Sequence, residues 1–353
     1  MDTCTSEFLR LSAGLGIDCA NSGPISFRSP FGLYSGTMAV IEVLLIVGAV
    51  AGLVHAVRWR RSTGDGSNLV VWWSGILCLL LIEPVAYFPQ WFGVEEQMGL
   101  TFVHNQFTVQ LLFNRLPLYI VAMYPAFAYV AFLVVQRAGV LRRHGVIVGA
   151  TCVAFVFHCF YEVIDHVGPQ LGWWLWNNDA PTGGPRLGVV PYVNLAAFSL
   201  AIPFGIALLT LVTARGSRSV PWRVVVVSVG TLPILFVSST PTALIDLAGA
   251  STGTARIAGT WMLVVAAGAV TLWTMIGAAR ERAAATPAPN DRFVIVAANG
   301  SQALYRQQGP NRVAIIVCSP PRLGPGDWYH RTIWFAAPID SPAAQAAEAL
   351  KAS

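Results

Sequence analysis

The sequence predicts an all-α, polytopic membrane bundle of seven transmembrane helices, N-terminus out and C-terminus in, with a small β-containing cytoplasmic tail. Three observations predict it. Of 353 residues, 55% are hydrophobic and only 11% charged, with a mean hydropathy of +0.60; a soluble domain carries about 25% charged residues. The apolar residues fall in seven long runs, and a span takes roughly 20 such residues. The arginines alternate between connections, heavy on one side of the runs and sparse on the other. Together these exclude a single water-soluble core and, for most of the chain, disorder.

The runs are Tyr34–Val57, Asn68–Phe88, Leu116–Gln136, Gly145–His166, Val189–Ala214, Trp222–Leu247 and Ile257–Ala278. One side receives Arg58, Arg60, Arg61, Arg137, Arg142, Arg143, Arg215, Arg218, Arg223, Arg280 and Arg282; the other receives Arg10, Arg28, Arg115, Arg186 and Arg256. Arg and Lys stay cytoplasmic in short loops, so the first side is inside. The expected organisation is an extracytoplasmic segment over 1–33, a seven-helix domain over 34–278 and a cytoplasmic tail over 279–353 with a linker at 283–290. The start carries Asp2, Glu7 and Asp18 and lacks the basic leader and short apolar core of a cleaved signal peptide. The net charge is +5, and Lys351 is the one lysine among 22 basic residues. The arginines are spread over short loops and no glycine-rich phosphate loop is present, so neither a nucleic acid nor a nucleotide is an expected partner.

Cys4 and Cys19 both fall in the outside segment, where a disulfide persists; a pair of free thiols is the alternative. Cys78, Cys152 and Cys159 lie in spans, and Cys318 is cytoplasmic. In the tail, Phe293–Ala298, Val313–Cys318 and Thr332–Ala337 are apolar, β-branched stretches able to pair as a small sheet.

One pattern occurs twice. A span ends in Glu83-Pro-Val-Ala-Tyr-Phe-Pro-Gln-Trp, a long loop follows, and the next span opens with Leu116-Pro-Leu-Tyr. Another ends in Asp165-His-Val-Gly-Pro-Gln-Leu-Gly-Trp-Trp, and its successor opens with Val190-Pro-Tyr. Chance among common membrane residues is one explanation; a parallel repeat, with a site at its interface, is the other.

Ionisable side chains at membrane depth cost about 2.5–3.5 kcal/mol on insertion scales and persist mainly where they act. Glu42, Glu83, His158, Glu162, Asp165, His166 and Asp246 all fall in the outer half of their spans, while the cytoplasmic half reads as apolar apart from small hydroxyls. His158, Glu162 and His166 are four apart and Asp165 is three beyond Glu162, so all four share a helix stripe with Tyr161 beside it. Two carboxylates one turn apart repel, and an acid that keeps its proton near neutral pH is what a general acid needs. Three readings of the stripe compete: a buried polar network, a metal site, and a proton donor or relay. The metal site would use His158, Glu162 and His166, with His104 in the preceding loop. Two turns between the histidines and the lack of a His-Glu-x-x-His arrangement weigh against it, so no metal is assigned. Of the single acids, Glu42 is expected to pair with a histidine or Arg115, Glu83 to sit at a break made by Pro84, and Asp246 to reach the interface.

Two outer loops are aromatic. Gln90–Arg115 carries Trp91, Phe92, Phe102, His104 and Phe107; the loop after the fourth run carries Trp173, Trp174 and Trp176. They form either an interfacial belt or a roof over the acids, where ring faces stabilise a cation by about 0.5–2 kcal/mol each.

The stretch Asp165-His-Val-Gly-Pro-Gln-Leu-Gly-Trp-Trp-Leu-Trp, followed by Gly188-Val-Val-Pro-Tyr-Val-Asn194 and Ala197-Phe198, resembles membrane carotenoid biosynthesis proteins of the carotenoid 1,2-hydratase type. Those carry an intramembrane acid, then Gly-x-Trp-x-Trp, then a proline- and asparagine-bearing opening of the next helix. Their earlier acid followed by a Val-Pro-Leu-led helix looks like Glu83 followed by Leu116-Pro-Leu-Tyr. Their Gly/Phe/Tyr-rich segment has no counterpart; Phe102–Phe113 supplies His, Asn and Gln instead. The resemblance covers roughly Glu83 to Phe198 and implies addition of water to an end-group double bond of a carotenoid-type isoprenoid, with Glu83, Asp165, Trp173 and Asn194 at matching positions.

The functional expectation is therefore a membrane-embedded hydratase or cyclase of a lipophilic isoprenoid, without redox or nucleotide cofactor. One acid of Glu162/Asp165, with Glu83 opposite, protonates a double bond; Tyr161, Trp173, Trp174 and Trp176 shield the cation, with His104 and Asn194 at the substrate; the remaining carboxylate or His158 orients water. A proton-coupled transporter or lipid flippase using the same acids, and a non-catalytic assembly protein, are the alternatives.

Overall fold

Among the described residues seven helices are long and apolar enough to cross a membrane, each on one of the seven runs. The computed structural model describes residues 3–15, 17, 22–214, 219–285, 293–297, 313–318 and 331–338, with side chains described as far as residue 280. The first span is Gly36–Thr63, the second Ser67–Tyr87, the third Leu118–Arg137, the fourth Val146–Gln170, the fifth Tyr192–Thr213, the sixth Val220–Leu247 and the seventh Thr252–Ala285.

Their ends follow from local chemistry. The first span outlasts its apolar run by nearly two turns, because Arg60 and Arg61 suit a helix C-terminus. Gly64 then stops it in the left-handed region at φ 77° with its N–H on the Arg60 carbonyl. The third and fifth start later than their runs. Leu116–Pro117 and Val190–Pro191 are short strands, and each proline caps the helix that follows. The second span does not break at Pro84: it continues to Tyr87, and the Phe88 N–H reaches the Pro84 carbonyl. The sixth is divided at Ser239, with Pro241 opening the second piece.

The second span lies at the centre, against the first, third, fifth and sixth; the fourth packs between the third and fifth. Their facing side chains, Trp72, Tyr87, Tyr119, Phe132 and Phe157 among them, form one core. At the loop-bearing end, short strands tie the connections together: β1 (Ile25–Phe27), β2 (Phe102–His104), β3 (Val109–Leu111), β4 (Leu116–Pro117), β5 (Trp174–Trp176), β6 (Arg186–Leu187) and β7 (Val190–Pro191). β3 pairs with β1 and β4, β6 with β7, and β2 with β5, all antiparallel. The twofold pattern of the sequence thus has a structural counterpart: span, strand, hairpin, proline-capped span, for the second and third spans and again for the fourth and fifth. β2 and β5, the equivalent strands, are each other's partner.

The N-terminal segment lies over these loops. Phe8, on helix Ser6–Ser12, packs with Leu100 and Val103, and the Arg115 guanidinium stands 3.2 Å from its ring centroid. Asn177 donates to Glu7 at 2.8 Å. Cys4 is disulfide-bonded; Cys19 lies outside the described residues, as do Arg215, Arg218, Lys351 and residues 286–290 of the expected linker.

The expectation that the arginine-rich half is apolar is wrong. Tyr129 bonds His55 Nδ1 at 2.5 Å and accepts from Asn68 at 3.2 Å, and Asn68 and Gln136 exchange hydrogen bonds at 3.1–3.2 Å. Buried Arg223 donates to Ser67 at 3.0 Å and to the Thr210 carbonyl at 3.1 Å. These polar groups come from separate spans and satisfy one another inside the bundle, so none of the runs loses its mean hydropathy to them.

Residues Met1–Met275 form one compact unit and Ile276–Ser353 a second. In the second, β8 (Phe293–Ala297), β9 (Val313–Cys318) and β10 (Arg331–Pro338) make an antiparallel sheet with β10 in the middle.

Candidate functional site

The two acids of the repeated pattern meet. Glu83, from the last turn of the second span, and Asp165, from the fourth, line one pocket with Tyr124, Tyr161, Asn194 and Phe198. Both are buried, at 2% and 4% exposure, and each is within electrostatic reach of the other. Asn194 donates to Asp165 Oδ2 and fixes that carboxyl. Glu83 Oε2 is fully enclosed and makes no hydrogen bond of good geometry, with the Tyr87 hydroxyl, one turn on, beside the carboxyl. Tyr124 and Tyr161 bridge the floor with their hydroxyls 3.3 Å apart.

The roof is the β2–β5 ladder. Phe102 opposes Trp176 and His104 opposes Trp174 across it; their ring centroids are 5.4 and 5.8 Å apart. Tyr87 meets Phe102 and His104 edge-on, at 5.5 and 5.9 Å. His104 Nδ1 is 3.3 Å from the Tyr119 hydroxyl, and burial pushes this imidazole down to about 3, so it is neutral. The indole of Trp174 needs Gly168 beneath it: a Cβ there would stand 2.1 Å from two ring carbons. The fifth span is π-helical over Leu195–Ala201, a rare geometry that recurs at functional sites. It begins directly after Asn194, which with Phe198 faces this pocket, while Leu195 faces a second one.

The enclosed space is about 20 Å³, enough for roughly one water molecule. Two carboxyls, a water-sized gap and surrounding ring faces can donate a proton, accept one and shield a cation in between.

The expected stripe on the fourth span is divided. Asp165 and Tyr161 turn to this pocket, whereas His158, Glu162 and His166 line a separate cavity of about 200 Å³ facing the fifth and seventh spans. The reason is the width of the stripe, about 140° at 100° per residue: Tyr161 and Asp165 lie along one edge and His158, Glu162 and His166 along the other, so the two edges meet different neighbours. Trp173 is also elsewhere. Its indole donates to Thr37 at 3.0 Å and it is absent from the pocket lining. Trp174, Trp176, His104, Tyr161 and Asn194 are in that lining as expected. Glu42 accepts from Thr108 Oγ1 and N rather than from a histidine, and exposed Asp246 accepts from Thr252 at 3.1 Å. Among the described residues no group of three or more His, Cys, Asp or Glu side chains is arranged to hold a metal ion. Phe102, Ile120, Met123, Tyr124 and Phe198 complete the lining. Sequence reasoning missed the roles of Ile120, Met123 and Tyr124 because they sit in an unbroken apolar run, whereas Phe102 already stood among the aromatic residues of the outer loop.

A family model described as a domain of unknown function, DUF7802, matches residues 34–224, more than half of the chain, and the chain belongs to that family. The match contains every residue of the Glu83–Asp165 pocket. No curated protein and no solved structure matches the chain.

Proposed function

We propose that this DUF7802-family membrane protein is an enzyme that protonates a carbon–carbon double bond of a lipophilic isoprenoid or polyene, leading to hydration or cyclisation. The observation that carries the reading is the meeting of Glu83 and Asp165 in one enclosed, aromatic-walled pocket. Glu83, with one oxygen in no hydrogen bond of good geometry, gives its proton to one alkene carbon, and the positive charge forms on the other. The ring faces of Tyr124, Tyr161, Trp174 and Trp176 stabilise it. Water adds to the cation and its surplus proton passes to Asp165, which Asn194 holds in place; transfer back to Glu83 restores the start. Where water is kept out, the cation is attacked by a second double bond and a ring-carbon proton goes to Asp165. Side chains such as Met123 and Phe198 must part to admit an end group, because the resting space holds only a water. The uneven distribution of arginine supports an N-out, C-in orientation in the cell membrane, which sets the pocket in the outer half of the bilayer.

Comparative mass spectrometry of lipid extracts, with and without the gene in its own host, tests this. A product present only with the gene, reduced at least ~100-fold by Glu83→Gln and by Asp165→Asn at unchanged protein level, is the expected result. Glu162→Gln, in the other cavity, leaves the product in place. Identical extracts with and without the gene overturn the proposal.

A second reading, a proton-coupled transporter or lipid flippase, is favoured by the polar network of His55, Asn68, Tyr129 and Gln136 at the opposite end of the bundle. It predicts acidification or lipid transfer in reconstituted vesicles that the Glu83→Gln variant loses, with no new chemical product.

A further inference from the structure

The fourth, fifth and seventh spans enclose a second cleft, and its two ends differ in chemistry. Toward the loops it is a cavity of about 200 Å³ walled by His158, Glu162, His166, Tyr192 and Trp261. One helical turn further along each of the three spans it gives way to a groove of about 640 Å³ lined almost wholly by apolar groups, Ala154, Leu200, Phe204, Leu263 and Ala267 among them. The steps from His158 to Ala154, from Leu195 to Leu200 and from Val264 to Ala267 are each a turn or so, so polar cavity and apolar groove follow one another along the same helices. The division of the sixth span at Ser239 helps to form the groove, and Ser238, Thr240 and Pro241 lie on its wall.

The polar end is short of hydrogen-bond donors. Both carboxylate oxygens of Glu162 are enclosed and have no hydrogen-bond partner. The two imidazoles beside it are engaged elsewhere: His158 Nδ1 with Ser199 Oγ at 2.8 Å, and His166 Nδ1 with the Glu162 carbonyl at 2.8 Å. They stand 3.5 and 3.6 Å from the Glu162 oxygens, at ion-pair distance but with no hydrogen bond to them. His166 Nε2 is likewise taken, by the Leu187 carbonyl at 3.1 Å. The indole N–H of Trp261 is on the Tyr192 hydroxyl at 3.1 Å, which leaves its ring face for a ligand. A carboxylate only 16% exposed and without a hydrogen-bond donor is costly, and a cationic N–H group beside an aromatic wall is a strong complement to it.

We infer that this cleft binds an amphipathic lipid bearing a primary ammonium headgroup, with the ammonium N–H groups on Glu162 and an acyl chain along the groove. The site is separate from the Glu83–Asp165 pocket and does not rest on the activity proposed there. Among zwitterionic headgroups, ethanolamine supplies three N–H donors and choline none, so the two discriminate hydrogen bonding from greasiness.

Native mass spectrometry of the full chain in detergent, titrated with ethanolamine-, choline- and glycerol-headed phospholipids of the same acyl composition, tests the proposal. The ethanolamine lipid is expected to be retained at least several-fold over the other two. Glu162→Gln, which keeps the shape, abolishes that preference, while Ala266→Phe in the groove lowers retention of all three. Equal retention of the ethanolamine and choline lipids by the unaltered protein overturns the headgroup assignment, as does an unchanged preference in Glu162→Gln. Retention unaffected by Ala266→Phe overturns the placement of the chain. The Glu83→Gln variant, correctly folded but altered in the other pocket, keeps the wild-type preference, and its loss of the preference would also overturn the separation of the sites.

Discussion

Replacing Gly168 by alanine offers a direct test of how the roof of the acid pocket is supported. The added Cβ would lie 2.1 Å from Cζ3 and Cη2 of Trp174 and 2.8 Å from its Cε3. Ordinary contact needs about 3.5–4.0 Å, so the indole or the end of the fourth span must move by well over an ångström. Neither is free to do so. Trp174 is only 3% exposed, with His104 and Trp173 against it, and its backbone is in the β2–β5 ladder. The Gly168 carbonyl accepts from the N–H of Trp173, immediately before that strand. Overpacking of a tight site costs about 1–3 kcal/mol, and this overlap belongs at the upper end. Thermal unfolding in detergent, followed by tryptophan fluorescence, reads it: a lower midpoint and a red-shifted emission are expected as the ring leaves its packing. Gly14→Ala, where nothing lies within 4 Å of the new atom, is the control. A Gly168→Ala protein with the midpoint and spectrum of the unaltered chain would show that Trp174 does not rest on this glycine, and would refute the account of the roof.

Other outcomes follow from the same geometry. Burial holds His104 at about 3, against about 6.5 for a free imidazole, so between those values the unfolded chain takes up a proton that the folded one refuses. The stability linked to neutral His104 is complete above about pH 6.5 and declines as pH falls toward 3, at up to ~1.4 kcal/mol per pH unit. His104→Gln should flatten that part of the melting-temperature profile, and parallel profiles would contradict it. Asn194→Leu removes the donor to Asp165 and should destabilise the protein by about 1.5–3 kcal/mol, measured by the same melt, with Asn194→Asp no substitute because it brings a second carboxylate. Arg10 and Asp179, 3.0 Å apart but 55% and 73% exposed, should show a coupling under about 1 kcal/mol that fades in high salt, by double-mutant cycle.

The spans were legible because a bilayer demands long apolar stretches, and those survive any detail of packing. Their ends were less so. Leu116 and Val190 read as the start of helices, yet the proline after each sets an extended residue before the first turn, and a neighbouring strand takes up the backbone. The meeting of Glu83 and Asp165 was foreshadowed by the doubled pattern around them. The grouping of Glu162 with Asp165 was misjudged because the stripe is about 140° wide, too wide to meet a single neighbouring surface. Its two edges, Tyr161 with Asp165 and His158 with Glu162 and His166, face two separate cavities. The partly buried network of His55, Asn68, Tyr129 and Gln136 escaped notice because its members are scattered over three spans, and mutual pairing between distant positions leaves no local signature.

The β2–β5 pairing has a consequence for traffic. Two connections that in most helical bundles would flap independently are here stitched to each other, and Phe8 with its helix lies across the seam. Admitting a bulky guest from the aqueous face would mean unzipping that ladder. For the isoprenoid chemistry proposed above, this favours entry sideways, from the lipid, by molecules already dissolved there.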